Sequence, residues 1–169
     1  MKRYRAPVNM SLRGKVELLQ LYAWAISQGY DPRGDYLERE DFGRPPPGTT
    51  LPEGMVSPHF ALSEFACNHC GTVIAPPPKL VEWLEEIRAF FDNRPIEITS
   101  GTRCPAHNLA VDGASESLHL EGVASDIKVE GVSPEAVFNF VDTLVGDEGG
   151  AAEYETFVHL DARGYRARW

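Results

Sequence analysis

A chain of 169 residues suits one domain with an appendage, and its 43% hydrophobic content supplies one sizeable core. The net charge of −9 argues against nucleic acid as a partner, because no basic field displaces counterions from phosphates. No apolar run approaches the roughly 20 residues of a transmembrane segment. The start, MKRYRAPVNMSLRGK, lacks the apolar stretch of a secretory signal. We therefore expect synthesis in the cytoplasm, with any action outside the cell depending on another export or release route.

The N-terminal third of the chain is predicted to be an accessory segment. Apolar residues over 12–28 recur at helical spacing, with Ser11 as N-cap and Gly29 as the stop. The next stretch, GYDPRGDYLEREDFGRPPPGTTLPEGM, is rich in proline, glycine and charge, which is typical of a linker or a loop that wraps a domain. We predict a helix plus linker over residues 1–55 and a main domain over 56–169.

The main domain combines helical and strand patterns. One helix is predicted over 78–92 from its apolar stripe, and another over 133–146 from a serine cap, a first-turn proline and a final glycine. Strands are predicted in RPIEITSGTR, ASDIKV and TFVHLDA. This order predicts an α+β domain whose small, mainly antiparallel sheet packs against helices.

The stretch SLHLEGVASDI contains a candidate metal-binding pair. A catalytic zinc takes three protein ligands and keeps one position for water. His119 and Asp126 supply two if the chain folds back between them, and Gly122 permits a tight path. His159 is the best-placed third ligand, because it lies within a predicted strand and shares a strand face with Asp161. The alternative for His159 is a core histidine bonded to a backbone carbonyl.

Three segments resemble a known family. SLHLEGVASD matches S-x-H-x-x-G-x-A-x-D, the signature of zinc peptidases related to D-alanyl-D-alanine carboxypeptidases. This peptidase M15-like superfamily includes murein endopeptidases, phage endolysins and the hedgehog signalling domain. ITSGTRCPAHN resembles its S-G-x-R segment, and FVHLDARGYRARW resembles its third-ligand strand. The resemblance covers most of residues 57–169 and none of 1–55.

The resemblance implies a hedgehog/D-Ala-D-Ala-peptidase-like fold with one catalytic zinc. Its implied ligands are His119, Asp126 and His159. Arg103 would stabilise the oxyanion of the tetrahedral intermediate, as a guanidinium offers charge and parallel donors. A surface salt bridge is the alternative for Arg103. Ser117 would hydrogen-bond the substrate near the metal.

The general base departs from the family pattern. Many relatives have a glutamate three residues before the third ligand, and others a histidine two before it, where this chain has Thr156 and Phe157. Glu153, Glu155 and Asp161 are candidates, provided that the strand extends far enough to put them on one face. The H-x-D order favours Asp161 slightly. Glu153 is second, at the position of a hedgehog-type glutamate. The departure is also compatible with a member that binds without catalysing.

The cysteines suggest a second metal site. CNHC gives Cys67-x-x-Cys70, and CPAH gives Cys104-x-x-His107. Such paired spacings suit a closed structural zinc site, which would join the segment before the first domain helix to the turn with the candidate arginine. His69 competes as fourth ligand, although it lies inside the short Cys–Cys loop. Three buried or free thiols are the alternative.

Together these features predict a zinc metallopeptidase that cuts peptidoglycan stem peptides or cross-links, as a D,D-carboxypeptidase or an endopeptidase. Without a signal peptide, such an enzyme suits a phage or prophage endolysin, or a wall-cutting part of a phage particle. An intracellular peptidase acting on a small D-amino-acid peptide is the alternative enzyme. A non-catalytic, zinc-containing binding or structural protein of the same fold is the alternative from another functional class.

Overall fold

A computed structural model of the chain describes residues 52–169. The predicted helix over 12–28 and most of the predicted linker lie outside the described residues, and the domain boundary near residue 56 stays a prediction. No helix within the described part is long and apolar enough to cross a membrane.

Five strands form one sheet: β1 Ile96–Ser100, β2 Ala124–Val129, β3 Gly150–Glu153, β4 Val158–Asp161 and β5 Ala167–Arg168. Their order across the sheet is β1-β2-β4-β3-β5. Each neighbouring pair is antiparallel except β3 and β5, which are parallel. The prediction of a small, mainly antiparallel sheet in an α+β domain is confirmed.

Three α-helices and two short 3₁₀ turns accompany the sheet. The helices are α1 Pro78–Phe90, α2 Pro105–Ala110 and α3 Pro134–Val145, and the 3₁₀ turns are Leu62–Phe65 and Leu118–Glu121. Each helix begins with a proline, whose missing N–H is harmless in a first turn. The predicted cap of α3 is confirmed, since the Ser133 side chain accepts a hydrogen bond from the Ala136 amide at 3.3 Å.

The two faces of the sheet have different partners. Helix α3 packs on β2, β3 and β4 and also contacts α1. The rings of Phe90 and Phe140 stack between these helices with centroids 3.8 Å apart. Alternate residues of β4, Val158 and Leu160, are fully buried on this helix-covered side. The intervening residues project to the opposite face, and that face lies beside the cleft described next.

Candidate metal centre

Three polar side chains meet on the cleft side of the sheet. Asp126 on β2 and His159 on β4 are register partners, so their side chains project side by side. His119 comes from the 3₁₀ turn just before β2, and Gly122 ends that turn with φ 72°, a left-handed conformation that glycine adopts without strain. One ligand atom from each of the three lies within 4.8 Å of the others. The fold thus brings together the three predicted zinc ligands.

The spacing of these atoms fits one zinc ion. His119 Nε2 lies 3.2 Å from Asp126 Oδ1 and 3.2 Å from His159 Nδ1. His159 Nδ1 lies 2.8 Å from Asp126 Oδ1. Tetrahedral zinc with bonds of about 2.0–2.1 Å requires ligand atoms about 3.3 Å apart. The triangle formed by the three ligand atoms therefore has about the size of one face of such a site. All three residues are buried, so these atoms are shielded from solvent.

Hydrogen bonds on the far side of each imidazole fix its orientation. His119 Nδ1 lies 2.6 Å from the Gly101 carbonyl oxygen, which only accepts, so this nitrogen carries the proton. His159 Nε2 lies 3.1 Å from Asp161 Oδ2, and an ionised carboxylate likewise only accepts. In the neutral rings, the two nitrogens near Asp126 are then unprotonated. Three electron-pair donors converge on one point, and this donor set fits a zinc cation.

Asp126 is held as a carboxylate. Burial opposes its ionisation, but when the His119 and His159 rings are doubly protonated, their hydrogen bonds and positive charge hold its pKa well below the usual range. The second carboxylate oxygen is paired with Arg103 Nη2. Arg103 Nε donates to Ser100 Oγ at 2.8 Å, and only 14% of the arginine side chain is exposed. Arg103 therefore adjoins the ligand triangle and is not part of a surface salt bridge.

Asp161 contacts the side of the His159 ring that faces away from Asp126. Its side chain is fully buried and pairs with Arg163, whose Nε and Nη2 each lie 2.7 Å from a carboxylate oxygen. The Gly150 amide also donates to it at 3.1 Å. Burial raises the pKa of Asp161, but hydrogen bonds with His159 and Arg163 bring it well below its ordinary value. The carboxylate is thus saturated with donors.

The two glutamates considered as bases lie elsewhere. Strand β4 begins at Val158, so neither Glu153 nor Glu155 belongs to the strand of His159. Glu153 ends β3 as the register partner of Val158, so its side chain projects to the face opposite that of His159. Glu155 lies in the exposed connection between β3 and β4. The condition under which these carboxylates would share the His159 face, a longer strand, is therefore not met.

A cleft of about 880 Å³ adjoins the ligand triangle. Ser117 and Arg103 line it, as predicted for residues that contact substrate, and the Ser117 side chain does not cap the turn that follows it. Its other lining carboxylates, besides that of Asp126, belong to Asp112 and Glu116. Glu153, Glu155 and Asp161 are not among the residues that line it.

Aromatic side chains from the C-terminal part of the sheet border the same cleft. The Trp169 ring centroid lies 5.3 Å from that of His159, and the Arg163 guanidinium lies 4.9 Å above the Trp169 ring. Trp169 Nε1 donates to the Tyr154 hydroxyl at 3.1 Å, and Tyr154 stacks on Phe157. Local sequence patterns do not predict the positions of Tyr154 and Trp169, because their proximity to His159 depends on strand pairing.

The cysteines form a second cluster. The sulfur atoms of Cys67, Cys70 and Cys104 lie within 4.8 Å of one another, and none is in a disulfide. His107 Nδ1 lies 3.4 Å from the Cys67 sulfur, and His69 Nδ1 lies 3.4 Å from the Cys104 sulfur. Burial raises the pKa of the Cys67 thiol, but backbone N–H groups of Cys104, Cys70 and His69 bring it down to about 5. The three sulfurs of the predicted set are thus brought together, with His107 next to Cys67 and His69 next to Cys104.

Comparison with known families gives a match to a peptidase family. The model of a family described as Peptidase M15 matches residues 58–161, which is more than half of the chain. The matched region contains both clusters and ends at Asp161, so Arg163 and Trp169 lie beyond it. A search of curated proteins finds no match to this chain.

Proposed function

The chain belongs to the peptidase M15 family, a family of zinc-dependent peptidases, and on this premise we propose that it hydrolyses peptide bonds of peptidoglycan. One observation carries the proposal: His119 Nε2, Asp126 Oδ1 and His159 Nδ1 converge, 2.8–3.2 Å apart, beside an open cleft. Zinc bound by these residues supplies Lewis-acid polarisation of a peptide carbonyl and activation of a water nucleophile.

Arg103 is proposed to stabilise negative charge on the scissile carbonyl oxygen. Its Nε and Nη2 are held by Ser100 and Asp126, which fixes the plane of the guanidinium beside the ligands. Within residues 52–169, no hydrogen bond engages Nη1, and the side chain lines the cleft. A preorganised donor of this kind acts without reorganisation when charge develops in the transition state.

For Asp161, the contacts favour a positioning role over general-base catalysis. A general base has to reach the proton that it accepts and works best with a pKa near the operating pH. Asp161 is fully buried, accepts from Arg163 and Gly150, and has a pKa held below its ordinary value. Its bond to His159 Nε2 is the typical second interaction of a zinc-bound imidazole. We propose that Asp161 orients this ligand.

The proton acceptor is then proposed to be a carboxylate that lines the cleft. Apart from Asp126, the described residues offer Asp112 and Glu116 in that position. Glu116 directly precedes Ser117, at the start of the turn that carries His119. If either is the acceptor, replacing it by the matching amide abolishes turnover while the protein retains its metal.

A short peptide is the proposed substrate. The cleft volume of about 880 Å³ lies within the range of small-molecule and peptide pockets. Its border combines aromatic surfaces with the cationic group of Lys128, which suits a peptide that ends in, or carries, a carboxylate. We propose that the protein reaches the cell wall by host lysis or on a phage particle.

Mass spectrometry of purified peptidoglycan tests this function. The zinc-loaded wild type and an exposed control variant on α3, Glu135→Gln, should release peptide or amino-acid products, and His119→Ala should release none. Zinc-loaded wild type that releases nothing would overturn the peptidase proposal in favour of the non-catalytic binding protein. Cleavage of soluble D-alanyl-D-alanine peptides without any action on peptidoglycan would retain the peptidase and reject the wall substrate.

A further inference from the structure

Three sulfur atoms meet away from the peptidase ligands. Cys67 and Cys70 lie in the loop after the first 3₁₀ turn, and Cys104 immediately precedes α2. Their sulfurs lie within 4.8 Å of one another. Neighbouring sulfurs on one tetrahedral zinc lie about 3.8 Å apart, given Zn–S bonds of about 2.3 Å. The three sulfurs are therefore close to the spacing that a shared ion requires.

A candidate fourth donor lies beside this group and contacts one of its sulfurs. His107 lies three residues after Cys104, so the two side chains lie on neighbouring positions of one helical turn. His107 Nδ1 is 3.4 Å from the Cys67 sulfur. The corresponding nitrogen–sulfur separation on tetrahedral zinc is about 3.6 Å. His107 thus offers an imidazole to the sulfur that is most deeply buried, because Cys67 is only 2% exposed.

The backbone around the sulfurs is shaped to hold them. The Cys67 amide donates to Thr72 O and the Gly71 amide to Cys67 O, each at 2.8 Å, which closes the Cys67–Cys70 loop into a tight turn. Gly71 has φ 73°, which favours glycine. The Cys104 amide donates to the Cys67 sulfur at 3.3 Å. Both loops thus direct N–H groups as well as sulfurs towards one centre.

We propose that Cys67, Cys70, Cys104 and His107 bind a second zinc ion in a closed structural site. Four soft or borderline ligands without an open position are typical of structural rather than catalytic zinc. The proposal does not depend on the peptidase activity, because none of these residues is a ligand of the His119 cluster.

The site would have a consequence for the cleft. Cys104 follows Arg103, and the Arg103 amide donates to the His119 carbonyl oxygen at 2.8 Å. A metal bound at Cys104 would therefore anchor the turn from which the arginine reaches Asp126. The ion would also tie this turn to the loop that precedes α1, across 37 residues of sequence between Cys67 and Cys104.

His69 is the competing fourth ligand, and its position argues against it. His69 Nδ1 also lies 3.4 Å from a sulfur, that of Cys104. However, the backbone N–H of His69 lies in the tight Cys67–Cys70 loop and donates to the Cys67 sulfur. If it bound the ion, Cys67, His69 and Cys70 would supply three ligands from four consecutive residues, which would strain the loop. His107 lies on the other segment, three residues after Cys104, and would add no further ligand to the short Cys67–Cys70 loop.

Metal content of the full chain, purified under reducing conditions, tests the proposal. We expect two zinc equivalents for the wild type and for His69→Ala, and one for Cys70→Ser and His107→Ala. When cobalt replaces zinc, the wild type and His69→Ala should show a thiolate-to-cobalt charge-transfer band. This band should be absent from Cys70→Ser and strongly reduced in His107→Ala. The exposed Cys70 is chosen because its replacement leaves the buried sulfur in place.

Two outcomes would overturn it. A wild type with one zinc equivalent and no charge-transfer band would reject the second site altogether. Loss of the second equivalent from His69→Ala, with retention in His107→Ala, would reject the proposed ligand set. Neither outcome depends on whether the wild type cleaves peptidoglycan. The second zinc site and the peptidase function are therefore tested independently.

Discussion

The two ligand clusters of this domain are built in opposite ways. His119, Asp126 and His159 are all buried, and two of them are register partners on adjacent strands. The cysteines lie on two loops, where Cys67 is buried and Cys70 is exposed. Each imidazole of the first cluster is oriented by a hydrogen bond on its far side, whereas the sulfurs of the second cluster accept bonds from backbone amides.

This difference corresponds to what each kind of site requires. An open catalytic site has only three protein ligands, so the protein itself has to fix their orientation before substrate arrives. A closed structural site has four ligands, and the bound ion itself orders the loops that carry them. This is because the free energy of metal binding contributes directly to the free energy of folding. We therefore expect the His119–Asp126–His159 cluster, here called the strand-borne cluster because two of its members lie on strands, to keep its shape without metal. The cysteine cluster, here called the loop-borne cluster, should lose its shape when the metal is removed.

The largest effect is expected from removing a ligand of the strand-borne cluster. His119→Ala should lower peptide release by about 10³-fold or more, since metal assistance contributes several kcal/mol to transition-state stabilisation. Rates on soluble peptides at saturating zinc would measure this, with Glu135→Gln as control. A His119→Ala protein that turns over at more than a tenth of the wild-type rate would contradict the assignment.

Asp161→Asn separates a positioning residue from a general base. We expect zinc affinity at the His119 cluster to fall about 10–100-fold, the usual effect of losing a ligand's hydrogen-bond partner. Activity should recover substantially when zinc is raised to saturation. Competition with a chromophoric chelator measures the affinity. Wild-type zinc affinity combined with abolished activity at saturating zinc would instead identify Asp161 as the base.

Glu116→Gln and Asp112→Asn provide the matched comparison for that variant. If one of them removes the proton acceptor, its zinc affinity stays at the wild-type value while kcat falls by about 10²–10⁴-fold. Both residues are exposed, so folding should be unaffected. Full activity in both variants would mean that neither carboxylate transfers the proton.

Metal removal should affect the two clusters unequally. Hydrogen exchange in the presence of a chelator should rise in the loops at 67–72 and 103–107, while β2 and β4 remain protected by their ladder hydrogen bonds. At zinc concentrations about 100-fold above the dissociation constant, a bound ion stabilises by about 2.7 kcal/mol. Equal protection of both loops with and without metal would contradict a structural role for the cysteine cluster.

The smallest effect is expected at the border of the cleft. Trp169→Ala should raise KM about five-fold with little change in kcat, because an aromatic contact contributes about 1 kcal/mol to binding. Trp169→Phe retains a ring next to His159 and should stay close to the wild type. A fall in kcat without a change in KM would show that the ring acts on the chemistry and not on substrate binding.

Much of the fold is encoded locally, and the exceptions have physical reasons. Helices α1 and α3 and strands β1, β2 and β4 agree with the predictions, because caps and apolar periodicity marked them. Strand β3, with the sequence GAAE, contains no β-branched or aromatic residue. It forms because β4 and β5 pair with it on both sides. Its first residue has no room for a side chain, since a Cβ at Gly150 would lie 2.3 Å from Asp161 Oδ2.

The candidate site was predictable in part. A local motif contains His119 and Asp126, and strand alternation correctly put His159 and Asp161 on one face. Arg163 and the Gly150 amide also bind Asp161, and local spacing does not predict these contacts. The strand extension that would put Glu153 on the His159 face does not occur for a similar reason, because the chain reverses between β3 and β4.

Diffraction data collected from zinc-loaded crystals on both sides of the zinc absorption edge test the central claim most directly. We predict an anomalous peak within about 2.0–2.2 Å of His119 Nε2, Asp126 Oδ1 and His159 Nδ1, with the fourth coordination position directed into the cleft. Crystals that contain zinc but show no anomalous peak among these three atoms would contradict the account.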